Sequence, residues 1–479
     1  MTLSPIGGLL LTPLAAALLF AVLPRYRLAA RLNIAASALG FLFALALIPW
    51  RPQTTTLFIA DDLNIIFLIL NAFVGMTSSI FSAGYIGHEV ETGRLSGTAL
   101  RLYHAMFQLM LFAMSLALSA NNIGLIWVAV ELATLSTVMM VGIYRTHAAL
   151  EAAWKYFILG SVGIGLALFG TILVYLAAVH AVGEGMRAME WSNLRAHAAA
   201  LDPSLLNVAF VFLLLGYGTK TGLVPMHAWL PDAHAEGPTP VSAVLSGLLL
   251  NVALYALLRF KMIMAANATA MPPGPLMILF GLASVIFAAL MLYRRGDIKR
   301  LFAYSSIEQM GLITFAFGLG GPFGNLAGIL QMILHSLVKS AIFFSVGQIV
   351  QARGTQKIAE IRGLTASNPL LGWMLIVGVV AIAGLPPFGI FMSEFLLLTS
   401  SFARAPALVG VAAFGLLLAL GALLLRLNWL AFGTPSGPGL AVRASNAPAL
   451  THLALALIMG LFLPGAVAAW CRAAAGMLQ

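Results

Sequence analysis

Glu131, Lys220, His335 and Lys339 are ionisable side chains set in sequence that is otherwise apolar. At bilayer depth such a group costs at least ~3 kcal/mol, so it is kept where it has a partner and a task. Glu131 is nine residues from Asn122 and fourteen from Arg145. At about 1.5 Å of rise per residue it lies ~13 Å and ~21 Å from those polar ends, too far to snorkel out. Lys220 closes the apolar run 205–219 and is followed at once by Thr221-Gly222-Leu223-Val224-Pro225. Glycine and proline there interrupt the helix, and a broken helix at membrane depth needs protein or a water-filled cavity around it. His335 and Lys339 are spaced i, i+4, project from one helical face and can pass a proton between them. Glu394 follows a second interruption, Gly384-Leu-Pro-Pro-Phe-Gly389, ten residues before Arg404, where a carboxylate at the outer interface is the competing reading. Glu308 stands about two turns past Arg300 and fits an edge ion pair as well as a functional role. His227 and His234, just beyond the first interruption, fit surface positions equally well. Carboxylate, amine and imidazole are the groups that take up and release protons, so the chemistry these residues point to is proton handling.

The elements that position them are membrane-spanning helices. With 61% hydrophobic and 8% charged residues and a mean hydropathy of +1.00, the 479-residue chain cannot be a soluble core wrapped in a polar surface. Fourteen apolar stretches are long enough to span: about 3–24, 30–49, 62–84, 103–120, 122–143, 154–180, 204–226, 240–260, 273–293, 300–318, 323–350, 369–400, 406–431 and 447–470. The first has no basic residue before Arg25 and no soluble domain after it, so it reads as a span and not a secretory signal. The expected fold is an all-α polytopic membrane protein, one transmembrane domain over 1–479.

The formal charge of +10 is spread over connections, with no single patch. Assigning odd-to-even connections to one side places sixteen of the 25 lysines and arginines there and seven on the other, with Lys220 and Lys339 inside spans. The positive-inside rule makes the first side cytoplasmic, in a cell inner membrane, with both termini outside. Nothing supplies the basic, stacking surface of a nucleic-acid binder. The single cysteine, Cys471, cannot hold an iron–sulfur cluster, and the sequence has no phosphate loop, metal-ligand cluster or cofactor fingerprint. No cofactor or metal is expected in this chain, and any redox centre belongs to another subunit.

The two interruptions fall in spans 7 and 12, five spans apart. Five is odd, so the halves containing them have opposite topology: spans 4–8 (103–260) and spans 9–13 (273–431) read as two inverted five-helix repeats with discontinuous helices 7 and 12. The stretch 183–203 is expected to form a short interfacial helix, and 432–448, rich in Gly, Pro and Ser, a flexible loop.

Several strings resemble the antiporter-like membrane subunits of respiratory complex I, which are shared with group 4 membrane-bound hydrogenases and multi-subunit cation/proton antiporters. They are Trp127-Val-Ala-Val-Glu131-Leu-Ala-Thr, the long run Lys220-Thr-Gly-Leu-Val-Pro-Met-His-Ala-Trp-Leu-Pro-Asp-Ala-His234 through Gly247, Asp297-Ile-Lys-Arg-Leu-Phe-Ala-Tyr-Ser-Ser306, His335 to Lys339, and Gly384-Leu-Pro-Pro. Trp154-Lys155-Tyr-Phe, Glu308 and Asn251 look most like component F of hydrogenase-4 complexes. The resemblance implies that Glu131 pairs with Lys220, that His335 and Lys339 form a central relay, and that Glu394 is the exit residue. Asn251 departs from the pattern, because many members carry Lys or His there, and asparagine cannot take up a proton.

Two charges ~4 Å apart at an effective dielectric of ~20 interact by ~4 kcal/mol, so opening or closing a Glu131–Lys220 pair changes how firmly the lysine holds its proton. Because the chain lacks an energy source of its own, it needs other membrane subunits and a redox or other soluble arm. Three readings remain: a proton-translocating subunit of a membrane oxidoreductase, a subunit of a sodium/proton antiporter, and a membrane subunit of an inorganic-carbon uptake complex.

Overall fold

Main-chain N–H and C=O groups find no water in hydrocarbon, so apolar sequence of this kind must satisfy them within helices. The computed structural model describes residues 4–23 and 25–479 and is helical, the only β-type pairings among the described residues being three isolated bridges. It opens with α1 (Pro5–Val22), α2 (Tyr26–Ala46), α3 (Asp62–Glu91) and α4 (Gly97–Ser119). These run up and down: Gly8 of α1 lies against Phe43 at the end of α2, and the Tyr26 hydroxyl at the start of α2 donates to the Ala83 carbonyl late in α3. Asp61 and Asn64 close a reciprocal capping box at the start of α3, both bonds being 2.8 Å.

The first half of the core follows as α5 (Ile123–Val141), α6 (His147–Val182), the short α7 (Trp191–Ala196) expected within 183–203, and α8 (Pro203–Thr221). Gly222, at φ 81°, stops α8 in the left-handed conformation that a side chain would strain. The chain resumes as α9 (Trp229–Glu236) and α10 (Thr239–Val244), then passes through a π-helical turn, Leu245–Leu249, into α11 (Leu250–Ala265). The second half contains α12 (Gly274–Leu292), α13 (Ile298–Leu319), α14 (Gly321–Arg353), the one-turn α15 (Leu364–Ser367), α16 (Pro369–Ile382), α17 (Gly389–Phe402) and α18 (Pro406–Ala431). Gly384, at φ 67°, opens the break between α16 and α17. Two further helices, α19 (Ala447–Leu461) and α20 (Gly465–Met477), meet at 84°.

Among the described residues eleven helices are long and apolar enough to cross a membrane, or twelve if the bent pair α19–α20 is one span. The fourteen expected stretches all coincide with helices, but three fail the simple test of a straight apolar rod. The helix α13 carries Lys299, Arg300 and Glu308, the stretch 369–402 is two short helices, and 447–470 is bent instead of running straight. The loop 432–446 is tied down, with Arg353 donating to the Pro438 carbonyl at 3.0 Å and Asn368 to that of Leu440 at 2.9 Å.

Small residues let helices touch beside the first break and between α12 and α13. A Cβ on Gly216 of α8 would come within 2.5 Å of the Ala167 nitrogen of α6, and one on Gly281 of α12 within 2.8 Å of the Gly311 carbonyl of α13. Such contacts bring backbones together where lipid provides no hydrophobic drive between helices.

Arg259 and Lys261, assigned by sequence to a connection, lie inside the protein instead, because α11 runs on to Ala265 with other elements wrapped around its end. Arg259 is fully buried, 2.7 Å from Asp61, donates to the Tyr255 hydroxyl at 2.7 Å and stacks on Trp191. This pair ties the start of α3 to the end of α11. Removing one member of a buried pair costs roughly 3 kcal/mol or more because the other charge is stranded, whereas removing both costs far less. Asp61→Asn is expected to lower the yield of folded protein surviving heating in mild detergent, and the double variant Asp61→Asn/Arg259→Met to recover most of it. Equal survival of parent and single variant would count against the clamp.

Candidate functional site

Three polar clusters lie along the interior of the helical bundle. The first is built where α8 breaks. Lys220 sits in the last turn of α8, only 1% exposed, with its Nζ 3.2 Å from Glu131 Oε2 and donating to Thr134 Oγ1 at 2.9 Å. Glu131 and Thr134 come from the same face of α5, at i and i+3. Gly160 of α6 makes room for the amine, since a Cβ there would lie 3.0 Å from Nζ. The break is closed from below by Trp229, whose indole donates to the Thr219 carbonyl at 2.8 Å and stacks on Tyr156 with ring centres 4.3 Å apart. Lys220 therefore does not reach for the membrane surface but is held inside the bundle.

His234 is completely buried, with its ring stacked on Phe343 at 4.8 Å and neither nitrogen hydrogen-bonded. His227 is mostly buried between Phe287 and Tyr304. A surface position, one of the two readings for these histidines, is excluded because α9 folds back against α6 and α13 instead of leaving the bundle.

The second cluster surrounds the π-helical turn. Asn251 Nδ2 donates to Ser336 Oγ at 2.7 Å and to the Met332 carbonyl at 2.9 Å, while its Oδ1 is buried without a hydrogen-bond partner. His335 Nε2 is 3.2 Å from the Ser246 carbonyl, and Ser336 donates to that of Gly247. The wider π turn thus presents the Ser246 and Gly247 carbonyls to side chains of α14. One turn on, Lys339 donates to the Phe302 carbonyl of α13 at 2.8 Å.

The third cluster lies at the second break. Glu308 and Glu394 are both buried, and Gln309 Nε2 lies between them, 3.1 Å from Glu308 Oε2 and 3.4 Å from Glu394 Oε1. Gln331 Nε2 donates to Gln309 Oε1 and reaches Glu394 Oε1 at 3.4 Å, and Ser393 donates to Gln331 Oε1. The edge ion pair considered for Glu308 does not form, and Glu394 points inward against Gly384 instead of lying at the interface. Gln309, Gln331 and Ser393 were not singled out from sequence; the available signal was a pair of glutamines in apolar helices, one beside Glu308 and one four residues before His335. Among the described residues no side-chain hydrogen bond joins the three clusters directly.

The matching family model is NADH:quinone oxidoreductase/Mrp antiporter, transmembrane, and it covers residues 120–421. The chain belongs to this family. It is 56% identical over 473 residues, 99% of each chain, to a hydrogenase-4 component F homolog of Methylacidiphilum infernorum. It is 31% identical to NADH-quinone oxidoreductase subunit M of Pseudomonas aeruginosa over 64% of this chain and 60% of that one. Among solved structures the fold matches a chain of an archaeal membrane-bound sulfane sulfur reductase with a TM-score of 0.88 at 23% identity, over 99% and 97% of the two chains. It matches a chain of the Mrp complex from Dietzia sp. DQ12-45-1b with a TM-score of 0.85 at 20% identity, over 100% and 98%. The clusters at Lys220 and Asn251 and all of the third lie within the span of the family model, so the buried ionisable groups belong to the part that defines the family.

Asn251 is the amide that the proposed relay on α14 meets on α11. Asn251→Leu removes both of its hydrogen-bonding groups and leaves an apolar side chain against Ser336, which keeps its bond to the Gly247 carbonyl. Asn251→Lys offers a titratable group, at the risk of several kcal/mol for an unpaired buried charge. Proton uptake by the reconstituted complex, with assembly followed on native gels, is expected to fall at least about tenfold for the leucine variant, the scale lost with a positioned proton carrier. Undiminished uptake would remove Asn251 from the path.

Proposed function

We propose that this chain is a proton-translocating, antiporter-like subunit of a membrane-bound oxidoreductase of the hydrogenase-4 type. The observation that carries the reading is the buried Lys220–Glu131 pair at a helix break, in a chain alike over its whole length to a hydrogenase-4 component F homolog. A buried amine with one acid partner and a neighbouring hydroxyl, next to a segment able to rearrange, is a device for holding and releasing a proton as the pair closes and opens. The proposed path runs from Lys220 past Asn251 to His335 and Lys339, then through Glu308 to Glu394. His227 and His234 line the approach to the first break.

Two inverted repeats, 103–260 and 273–431, organise this path. In that alignment α5 corresponds to α13 and the broken α8–α9 to the broken α16–α17, so that corresponding helices contribute Glu131 and Glu308. Driving energy comes from a soluble redox arm through neighbouring membrane subunits. The near-complete 56% match favours this over a sodium/proton antiporter, whose solved relative is 20% identical and supports the fold alone. The face carrying Arg94, Arg145, Arg295 and Arg353 is cytoplasmic on this reading, in an inner membrane with both termini outside.

Glu131→Gln keeps the shape of the side chain and removes its charge. The expected result is a fully assembled complex whose proton translocation in vesicles is abolished. Normal pumping by that variant would sink the assignment.

A further inference from the structure

The helix α3 runs seven residues beyond the stretch read as span 3, and its last turn carries a carboxylate that the path above does not use. Glu89 is 0% exposed. Its Oε1 accepts a hydrogen bond from Gln351 Nε2 of α14 at 2.7 Å, and its Oε2 lies 3.3 Å from Arg94 Nη1, on an arginine that is 61% exposed. Arg94 also lies over the Tyr144 ring, 5.2 Å from its centre, so its guanidinium forms a lid between Glu89 and water.

One turn back on the same face of α3, the buried Tyr85 hydroxyl accepts from Thr239 Oγ1 at 3.2 Å. Thr239 opens α10, directly after Gly237-Pro238. The carbonyls of Gly237 and Ala235 receive Lys299 Nζ at 2.8 Å and 3.2 Å. Lys299 is buried and has no carboxylate within ion-pair distance among the described residues. His234, two unpartnered nitrogens in a closed site, lies within electrostatic reach of both Lys299 and Lys339. Lys339 in turn is held on the Phe302 carbonyl, one turn along α13 from Lys299.

The Tyr85–Thr239 hydrogen bond, the i, i+4 register of Tyr85 with Glu89 and the hold of Lys299 on Gly237, two residues before Thr239, set an acid, two hydroxyls, an amine and an imidazole in order from the arginine-bearing face to the middle of the second half. An ion pair serving only to fasten α3 would need no burial of its carboxylate, since exposed pairs fasten surfaces without that desolvation cost. We propose that Glu89 is a proton-collecting residue, which takes up protons beneath Arg94 and passes them by way of Tyr85 and Thr239 to Lys299 and His234, and so to Lys339. In each hop a hydroxyl gives its own proton forward and takes one from behind, so a proton advances with no electron transferred and the hydroxyl unchanged. This branch rests on the proposed function, and it supplies protons to the second half in series with the Lys220 break, so that both must work for a proton to cross.

The test uses the whole complex in vesicles, supplied with its electron donor and acceptor. Proton uptake is followed with a pH-sensitive dye, electron transfer is measured alongside, and assembly is checked on native gels. Glu89→Gln is expected to cut protons moved per electron by at least about tenfold, the scale of a lost proton carrier, at unchanged assembly. Glu89→Asp is expected to recover most of that loss. Arg94→Ala breaks the ion pair but keeps the carboxyl, and is expected to pump within about twofold of the parent, the effect of losing one side of a solvent-exposed contact. Equal losses in Arg94→Ala and Glu89→Gln would make the pair a structural fastener and overturn the proposal. Should Glu89→Gln fail to assemble, Tyr85→Phe decides, because it deletes only the hydroxyl: lowered uptake supports the branch, and parental uptake overturns it. A parent that transfers electrons and moves no protons overturns the proposed function with it, whereas a pumping parent matched by both Glu89→Gln and Tyr85→Phe overturns the branch alone.

Discussion

The buried lysines and Arg259 are each met by an acceptor that the fold brings to them. A lysine or arginine in a low-dielectric surrounding is tolerated only where its donors are met. Lys220 meets Glu131 and Thr134, Arg259 meets Asp61 and Tyr255, and Lys299 meets the carbonyls of Ala235 and Gly237. Carbonyls are free only at helix ends and irregular turns. The short α9 ends at Gly237, and its last carbonyls, the negative end of the helix dipole, are the ones that hold Lys299. The first break therefore does more than interrupt α8. The chain beyond the first break supplies the carbonyls that hold Lys299, and the close glycine contact of α6 with α8 holds the flanking helix while the chain after it departs from helical geometry.

The same accounting distinguishes His452 from the histidines of the proposed path. His452 has both ring nitrogens engaged, Nε2 at 2.8 Å from Thr77 Oγ1 and Nδ1 at 3.1 Å from the Leu337 carbonyl, and it is sandwiched by Phe73 and Phe344. That is a satisfied structural histidine. His335 keeps one nitrogen free and His234 two, in equally buried surroundings. Unspent hydrogen-bonding capacity beside a buried lysine is what a relay requires and what a purely structural core removes.

The helical class, the two breaks and the buried charges of Glu131 and Lys220 were legible in the sequence because each is a local contradiction, a charge, a glycine or a proline inside an apolar run, whereas the pairing of Glu131 with Lys220 came from the family resemblance. Depth was less legible. Arg259 and Lys261 follow an apolar stretch and read as loop residues, yet they are buried, because burial at a helix end is decided by what packs over it. Glu89 escaped for the same reason, lying past the apolar stretch but within α3. The span count shows the complementary error. Hydropathy assumes straight, uniformly apolar rods, and it cannot register that α19 and α20 turn through 84° or that α13 buries charges against neighbouring helices. Neutral amides were the hardest to find, since a glutamine in an apolar helix has an ordinary structural reading until its neighbours are known.

Those amides decide what kind of pathway the interior can form. Gln309 presents its nitrogen to both acids and its oxygen to Gln331, whose own oxygen accepts from Ser393. An amide neither takes up nor gives up a proton under ordinary conditions, so this chain of bonds holds Glu308 and Glu394 in a fixed relation without carrying a proton through itself. Asn251 meets the proposed relay on α14 likewise, with its nitrogen committed to Ser336 and Met332 and its oxygen left open. His335 and Lys339 follow one another on α14 with no amide between them, whereas Gln309 stands between Glu308 and Glu394. Where an amide flanks a titratable group, a proton passes only when a water or a side-chain movement bridges it, so these are the steps at which transfer along the proposed path can be gated. The interior is thus built to gate proton steps more readily than to leak protons along a continuous wire, and a device that must translocate without short-circuiting the membrane requires that gating.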